Sequence, residues 1–348
     1  NNQILMPAYT CVVMANAAVL AGFQPRFIDV DGRALMPPEQ IIDLGNADAG
    51  LLLFTDLFGN ELSRDVKKSV LEWANLNSIV VVEDKAMNLS PAPECRTERG
   101  TAQIFSFMLN KQISTIFGGM VCTDSLEVKK GLLAVRDRLF SQRSLRQHLS
   151  LRLLFLSQYF GYSPQTFRLG LWLQEKVPPL RRLVHYYDEN QPTLPADAFL
   201  LPTRFQAKLG ISQIKKIQSF ESQRHTLVGI YREELHGVTG IKILNALQAR
   251  TYPNFSILVQ DRPSFIKSLR QKGVDVEHLF EYAIPDLAFY SRTAAPRASS
   301  SPFMARLFAD HIVNLPLYPG LTGRDVRNIC RRTRDAIQQI GERELSHA

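Results

Sequence analysis

The chain has 348 residues, 45% of them hydrophobic and 21% charged, which is enough for one large domain and a smaller one with separate cores. Its formal net charge is +8, but the basic residues are dispersed, so the surplus favours anionic ligands in general and does not single out nucleic acid. Cys11, Cys95, Cys122 and Cys330 are far apart and form no CxxC pair, which leaves a zinc site without ligand spacing and argues for reduced thiols in a cytoplasmic protein.

The chain opens on Asn, almost directly in an apolar run, and we read it as a fragment that lacks its N-terminus. It shows no signal peptide. Short runs rich in Val, Ile, Leu and Phe predict strands at Ile4–Met6, Arg26–Val30, Leu51–Thr55, Ile79–Glu83, Ile104–Phe107 and Met120–Thr123. They lack strict alternation, as expected of strands covered on both faces. Helical stretches lie between them, including Cys11–Leu20 and Glu61–Leu76; in the second, Val66, Val70, Leu71 and Trp73 recur at helical spacing. This βα pattern predicts an α/β fold with a mostly parallel sheet and helices on both sides.

From about Ser125 to Pro179 the chain reads as helix. Leu145, Leu149, Leu153 and Leu156 form one stripe, expected to be core or a partner interface. The most apolar helical stretch, Leu149 to Tyr162, carries Arg152 and Gln158, and no run reaches the roughly 18–20 apolar residues of a membrane span. Asp188 to Pro202 is rich in Asp, Asn and Pro and reads as a domain junction. A long helix is predicted from about Thr203 to Leu235, then strands near Ile241–Leu244 and Phe255–Val259, a helix at Pro263–Lys272, a loop over Ala294–Pro302, and a last amphipathic helix at Asp325–Gly341.

Three residues carry candidate chemistry. Asp84 follows the apolar strand ending at Glu83, and in open α/β sheets ligands collect at the carboxyl ends of strands. Ser106 and Lys111 stand together at the end of another strand, and Gly118-Gly119 follows before the next. Pyridoxal 5'-phosphate (PLP) chemistry needs this inventory: a lysine to form a Schiff base, a carboxylate to keep the pyridine nitrogen protonated, and hydroxyls and backbone N–H groups for the phosphate.

The sequence resembles the DegT/DnrJ/StrS sugar aminotransferases over nearly its whole length. Met6-Pro7-Ala8-Tyr9-Thr10 with Ala15-Asn16-Ala17, Phe27-Ile28-Asp29-Val30-Asp31, Leu57-Phe58-Gly59, Val82-Glu83-Asp84, Phe105 to Lys111, Gln206-Ala207 with Gly210 to Gln213, and Leu315 to Thr322 all look like family segments. The resemblance implies a PLP-dependent transferase fold of type I: a large PLP-binding domain over residues 1–202 with a helical insertion at about 125–190, then a connecting helix and small C-terminal α/β domain over 203–348. It implies that Lys111 is the Schiff-base lysine and later shuttles the Cα proton, that Asp84 holds the pyridinium and that Ser106 contacts the phosphate. It implies amino transfer, typically from glutamate, to a keto sugar on a nucleotide diphosphate, in amino-sugar or surface-polysaccharide biosynthesis. Active sites would lie at a homodimer interface, with Ile113, Ile116 and Phe117 beside it.

Several positions depart from the family pattern. Cys11 stands where an aromatic usually stacks on the PLP ring, and Met87 where a Gln contacts the cofactor. Lys85 replaces a small residue, Arg204 replaces a Glu, and Phe199 and Leu201 occupy the region of an Asn and an Arg that reach the neighbouring subunit. The family's phosphate-binding turn is expected upstream of residue 1. His278 lies where the family carries a substrate-side His-Tyr-Pro segment, of which only the His is present. Two alternatives follow from these departures: another PLP reaction such as sugar dehydration, against which Lys111 argues because the related dehydratases carry histidine there, or a degenerate, non-catalytic binding or regulatory protein. A Rossmann dehydrogenase is a poor rival, because no GxGxxG follows any early strand.

Overall fold

The computed structural model describes residues 2–43, 49–89, 101–161, 188–195, 197–293 and 302–347. The predicted helix beyond residue 161, the predicted loop over 294–301 and Cys95 lie outside them.

The first half builds a mixed α/β unit. Strands β1 (Gln3–Pro7), β2 (Gln24–Ile28), β3 (Leu51–Thr55), β4 (Val80–Asp84), β5 (Thr101–Ser106) and β6 (Gly119–Cys122) form one sheet in the order β2-β1-β3-β4-β5-β6. All pairings are parallel except β5 with β6. β1 shows why these runs lack alternation. Leu5 enters one core with Ile28, Leu52, Val70 and Val81. Its neighbours Ile4 and Met6 enter another, on the opposite pleat face. α1 (Val12–Leu20) and α3 (Arg64–Leu76) cover the sheet, and α2 (Pro38–Ile42) is a short helix that the periodicity did not mark. α3 buries Val70, Leu71 and Ala74 and leaves Val66 exposed.

α4 (Leu126–Leu139) and α5 (Leu145–Gly161) follow, so the predicted continuous helix is broken. Ser141 pairs with Leu200 across a β-bridge, its N–H donating to the Phe199 carbonyl at 2.9 Å, and Phe140 packs edge-on against Phe199. These contacts, distant in sequence, pull the backbone out of the helix. The leucine stripe of α5 is not core: Leu145, Leu149, Leu153 and Leu156 are 88, 59, 57 and 47% exposed, while Leu151 and Phe155 on the other side face the protein, Phe155 against Phe205.

The predicted helix from Thr203 to Leu235 is two: α6 (Arg204–Ile214), opened by a capping box between Thr203 and Gln206, and α7 (Ile217–Leu235). A three-stranded antiparallel sheet follows, β7 (Ile241–Ile243), β8 (Phe255–Val259) and β9 (Ile312–Leu315). α7, α8 (Arg262–Gln271) and the terminal α11 (Gly323–His347) enclose a core with it, in which Tyr231 stacks on Phe255 at 4.5 Å. Between α8 and β9 come α9 (Tyr290–Thr293) and α10 (Phe303–His311). α10 and β9 were not anticipated.

This late segment returns to the main sheet. Tyr282, Ile284, Tyr290 and Phe308 join the core of Ile4, Met6 and Phe27. The Asp29 carboxylate accepts the N–H groups of Met304 (3.0 Å) and Ala305 (2.9 Å), capping α10 from a distant strand end. A second latch joins the loop after β3 to the region before β8. Asn60 donates to Leu244 at 3.1 Å and accepts from Ala246 at 2.7 Å, and Asn245 donates to the Phe58 carbonyl at 2.7 Å. Gly59 sits in this latch at φ +76°, and a Cβ there would lie 2.3 Å from the Thr251 carbonyl oxygen. Both the left-handed backbone and the close approach require glycine. Gly59→Ala should destabilise the protein by about 2–4 kcal/mol, strain and clash together; a thermal or denaturant unfolding curve checks this, and an unchanged midpoint would refute the latch.

Candidate active site

Parallel strands bring their carboxyl ends to one edge, and the candidate residues meet there. Cys11 follows β1, Thr55 and Asp84 are register partners at the ends of β3 and β4, and Ser106 ends β5. The loop from β5 to β6 carries Lys111 over the same edge. It is held internally by the Lys111 N–H on the Met108 carbonyl (3.1 Å), the Thr115 N–H on Phe107 (2.9 Å) and the Phe107 N–H on Gly118 (2.9 Å).

Helix α6 then fixes the loop from outside. Gln206 donates to the carbonyls of Thr115 (3.2 Å) and Phe117 (2.7 Å). Gln213 donates to the Ser114 carbonyl (2.7 Å) and accepts its N–H (3.0 Å). Gly210, one turn from each, lets the helix rest on Thr115: a Cβ there would lie 3.2 Å from its methyl. Two glutamines seven residues apart with a glycine between them are a helical face, and that spacing was the available signal for this clamp. Ile113 and Ile116 are 2% exposed, covered within the chain itself, while Ser114 and Phe117 are half-buried.

Four of the predicted residues are together. The Lys111 amine donates to the Met87 thioether sulfur at 3.2 Å. Cys11 and Asp84 lie close enough to oppose the loss of its charge, yet burial outweighs them and lowers the Lys111 pKa. Asp84 is 5% exposed. Its Oδ1 accepts the Ala86 N–H at 2.9 Å, and among the described residues Oδ2 accepts no hydrogen bond. Burial raises its pKa, and the Ala86 N–H and Lys111 pull against that. Ser106 is half-buried at the end of the next strand, its Oγ 3.5 Å from the Met108 N–H. His278 Nε2 lies 3.1 Å from the Glu281 carboxylate, and no contact joins it to these residues among those described.

Lys85, one residue past Asp84, has the opposite environment. Its amine pairs with Asp56 and stands 3.6 Å from Glu83. Burial disfavours its charge, but Asp56, Glu83 and Glu61 together outweigh burial and raise its pKa. Sequence reasoning missed Asp56, and also Gln112. The Gln112 side chain accepts the Leu89 N–H (2.8 Å) and donates to Glu221 (3.0 Å) and Thr251, binding the lysine loop to α7. Glu221 is in turn paired with Arg224 at 3.1 Å and accepts from Thr251 at 2.6 Å.

Comparison with known proteins bears on the family and the fold. The sequence model of the DegT/DnrJ/EryC1/StrS aminotransferase family matches residues 1–162 and 202–334. GDP-perosamine synthase of Escherichia coli O157:H7 is 21% identical over 338 residues, covering 94% of this chain and 77% of that protein. A crystal structure of a DegT DnrJ EryC1 StrS aminotransferase from Brucella abortus superposes with a TM-score of 0.70 at 18% identity, covering 96% of this chain and 79% of that one. The E. coli GDP-4-keto-6-deoxy-D-mannose-3-dehydratase with bound hydrated PLP gives 0.69 at 14% identity, over 97% and 80%. At these identities the two structures bear on the fold alone.

The contrast between the two lysines has a direct test. A lowered pKa leaves more free amine at a given pH, a raised one less. A small amine-directed reagent at near-neutral pH should modify Lys111 well ahead of Lys85, as read by peptide mapping. Prior addition of PLP should protect Lys111. Equal labelling of the two would contradict the assignment.

Proposed function

The chain belongs to the DegT/DnrJ/EryC1/StrS aminotransferase family, whose members use PLP, and from that premise we propose that it transfers an amino group from an amino acid to a keto sugar carried on a nucleotide diphosphate. The observation that carries the reading is Lys111: a buried amine of lowered pKa, facing a buried carboxylate at the carboxyl edge of the sheet.

The donor set fits PLP. A free oxygen on buried Asp84 has no partner among the described residues, and burial alone leaves its negative charge costly. A cationic ring nitrogen would repay that cost. Lys111 offers an amine whose hydrogen bond among the described residues is to a thioether, a weak acceptor that does little to hold its proton. PLP, when bound, supplies the carbonyl that condenses with amines and the ring that accepts an electron pair. The chain's own residues do the rest. Asp84 would keep the ring nitrogen protonated through Oδ2, Ser106 Oγ would hold the phosphate, and Met87 and Cys11 would offer soft apolar surface to the ring, Cys11 in place of an aromatic face. Lys111 Nζ, the base at this edge, would hold and return the proton of the amino donor's Cα. The amine at position 111 favours amino transfer over dehydration. The surplus of positive charge suits a diphosphate substrate.

The reading includes a homodimer. It is supported by α4, which buries no side chain within the single chain, and by the exposed leucine stripe of α5. PLP-loaded protein should sediment as a dimer at micromolar concentration. Among the described residues no helix is long and apolar enough to cross a membrane.

Borohydride reduction of the PLP-loaded protein followed by peptide mapping should place the pyridoxyl group on Lys111. Lys111→Ala should abolish both the label and amino transfer from glutamate to UDP-, GDP- or dTDP-linked keto sugars, while Lys85→Ala should leave any label on Lys111. A label on Lys85, or none in the wild type, would overturn the reading.

A further inference from the structure

Behind Asp84 stands a charged cluster that the chemistry above does not use. Lys85 Nζ pairs with Asp56 Oδ2 and lies 3.6 Å from Glu83 Oε2. Lys67, from α3, reaches the same Glu83 oxygen at 2.6 Å, and Gln103 of β5 donates to it at 3.5 Å. Asn88 donates to Asp56 at 3.2 Å and to Glu61, and Arg250 lies 3.8 Å from Glu61. Asp56, Glu61, Lys67, Glu83 and Lys85 line a small cavity here. Asp56, Glu83 and Asp84 are all 9% exposed or less.

The cluster is joined to the candidate cofactor site through the backbone. Thr55 and Asp84 are register partners, and the Asp56 N–H donates to the Asp84 carbonyl at 3.4 Å. Asp56 and Asp84 are therefore neighbouring buried carboxylates on adjacent strand ends. Asp56 adds to the proton affinity of Asp84, while burial raises that of Asp56 itself, and Lys85 pulls both down. Lys85 is the cation in contact with Asp56, and its charge is spread over Glu83 as well. Lys111 faces Asp84 from the other side but has a lowered pKa, so it is a poor permanent counter-ion.

We infer that Lys85 is a positioning residue for the cofactor site: its ammonium holds Asp56 at the end of β3, which keeps the end of β4 in place and lets Asp84 carry the negative charge that the ring nitrogen requires. The inference rests on the PLP reading above. It also explains why a lysine is tolerated where the resemblance calls for a small residue. The long side chain turns away from the site to meet an acid on the neighbouring strand, so Asp56 and Lys85 form one device.

The test is PLP affinity across pH for the full chain and three variants, with thermal stability of the cofactor-free proteins measured in parallel. Lys85→Met removes the cation and leaves Asp56 uncompensated beside Asp84. Asp84 then holds its proton to higher pH, and PLP affinity should fall by about tenfold for each unit of that rise. The loss should be greatest toward acid pH, where Asp84 is protonated first. Lys85→Arg should retain affinity. The double variant Asp56→Asn with Lys85→Met removes both charges and should recover to within about threefold of wild type. A Lys85→Met protein that binds PLP like wild type over the whole pH range would overturn the inference, as would a double variant as weak as the single one, since a purely structural role predicts that result. If Lys85→Met does not fold, the folded double variant decides: binding near wild type supports the inference, and failure to bind overturns it. Wild-type protein without a pyridoxyl label on Lys111 would remove the PLP reading and this inference together. A labelled wild type with an unaltered Lys85→Met profile removes this inference alone.

Discussion

Charged groups taken out of water at the carboxyl edge of the main sheet set the terms for the rest of the molecule. Asp84, Asp56, Glu83, Lys85 and Lys111 are gathered there with little solvent to stabilise them. A buried charge left without its partner costs about 3–5 kcal/mol. The fold meets that cost unevenly. Lys85 is fully compensated, by Asp56 and Glu83, and is held as an ammonium. Lys111 is not, and its hydrogen bond to a thioether does little for its charge. Asp84 has one oxygen satisfied by a backbone N–H and one with no partner among the described residues. For Lys111 and Asp84 burial instead shifts both groups toward their neutral forms, the signature of a candidate functional site.

An amine kept reactive by burial must also be kept in place, and much of the polar structure around the loop from β5 to β6 serves that end. Gln206 and Gln213 grip its backbone from α6, and Gln112 ties it to Glu221 and Thr251. These are hydrogen bonds from neutral amides, which orient a loop without adding further charge to the site. Through Gln112 and the buried Glu221–Arg224 pair the lysine loop is continuous with α7 and so with the smaller sheet. The Asn60 and Asn245 latch around Gly59 makes the same connection from the loop after β3. The two halves of the chain thus meet the site through side-chain amides at two separate points.

The outer helices behave differently. α5 is apolar on two sides, with Leu151 and Phe155 toward the protein and four leucines toward solvent, and α4 buries nothing. A helix apolar on opposite faces is suited to lie between two bodies. That accounts for an even leucine stripe in a helix whose exposed face would otherwise be expected to be polar.

The sequence by itself determined the main sheet. Its strands are apolar runs whose two pleat faces both enter cores, and such runs are legible because no tertiary information is needed to see that they must be covered. Asp84, Ser106, Lys111, Met87 and Cys11 were legible as well, from order, spacing and family resemblance, since strand ends in a parallel sheet share an edge. What tertiary structure decided was every feature that depends on a partner far along the chain. The helix breaks at Ser141 and after Ile214 carry no Pro or Gly; they exist because Ser141 pairs with Leu200 and Gln213 turns onto Ser114. β9 and α10 were hidden because Ile312–Leu315 becomes a strand only by pairing with β8, and α10 is capped by Asp29 from the other end of the molecule. The role of Lys85 was decided in the same way. A lysine beside an aspartate in sequence says nothing of its charge state, and only its contact with Asp56, brought alongside by the register of β3 and β4, holds it as an ammonium while burial lowers the pKa of Lys111.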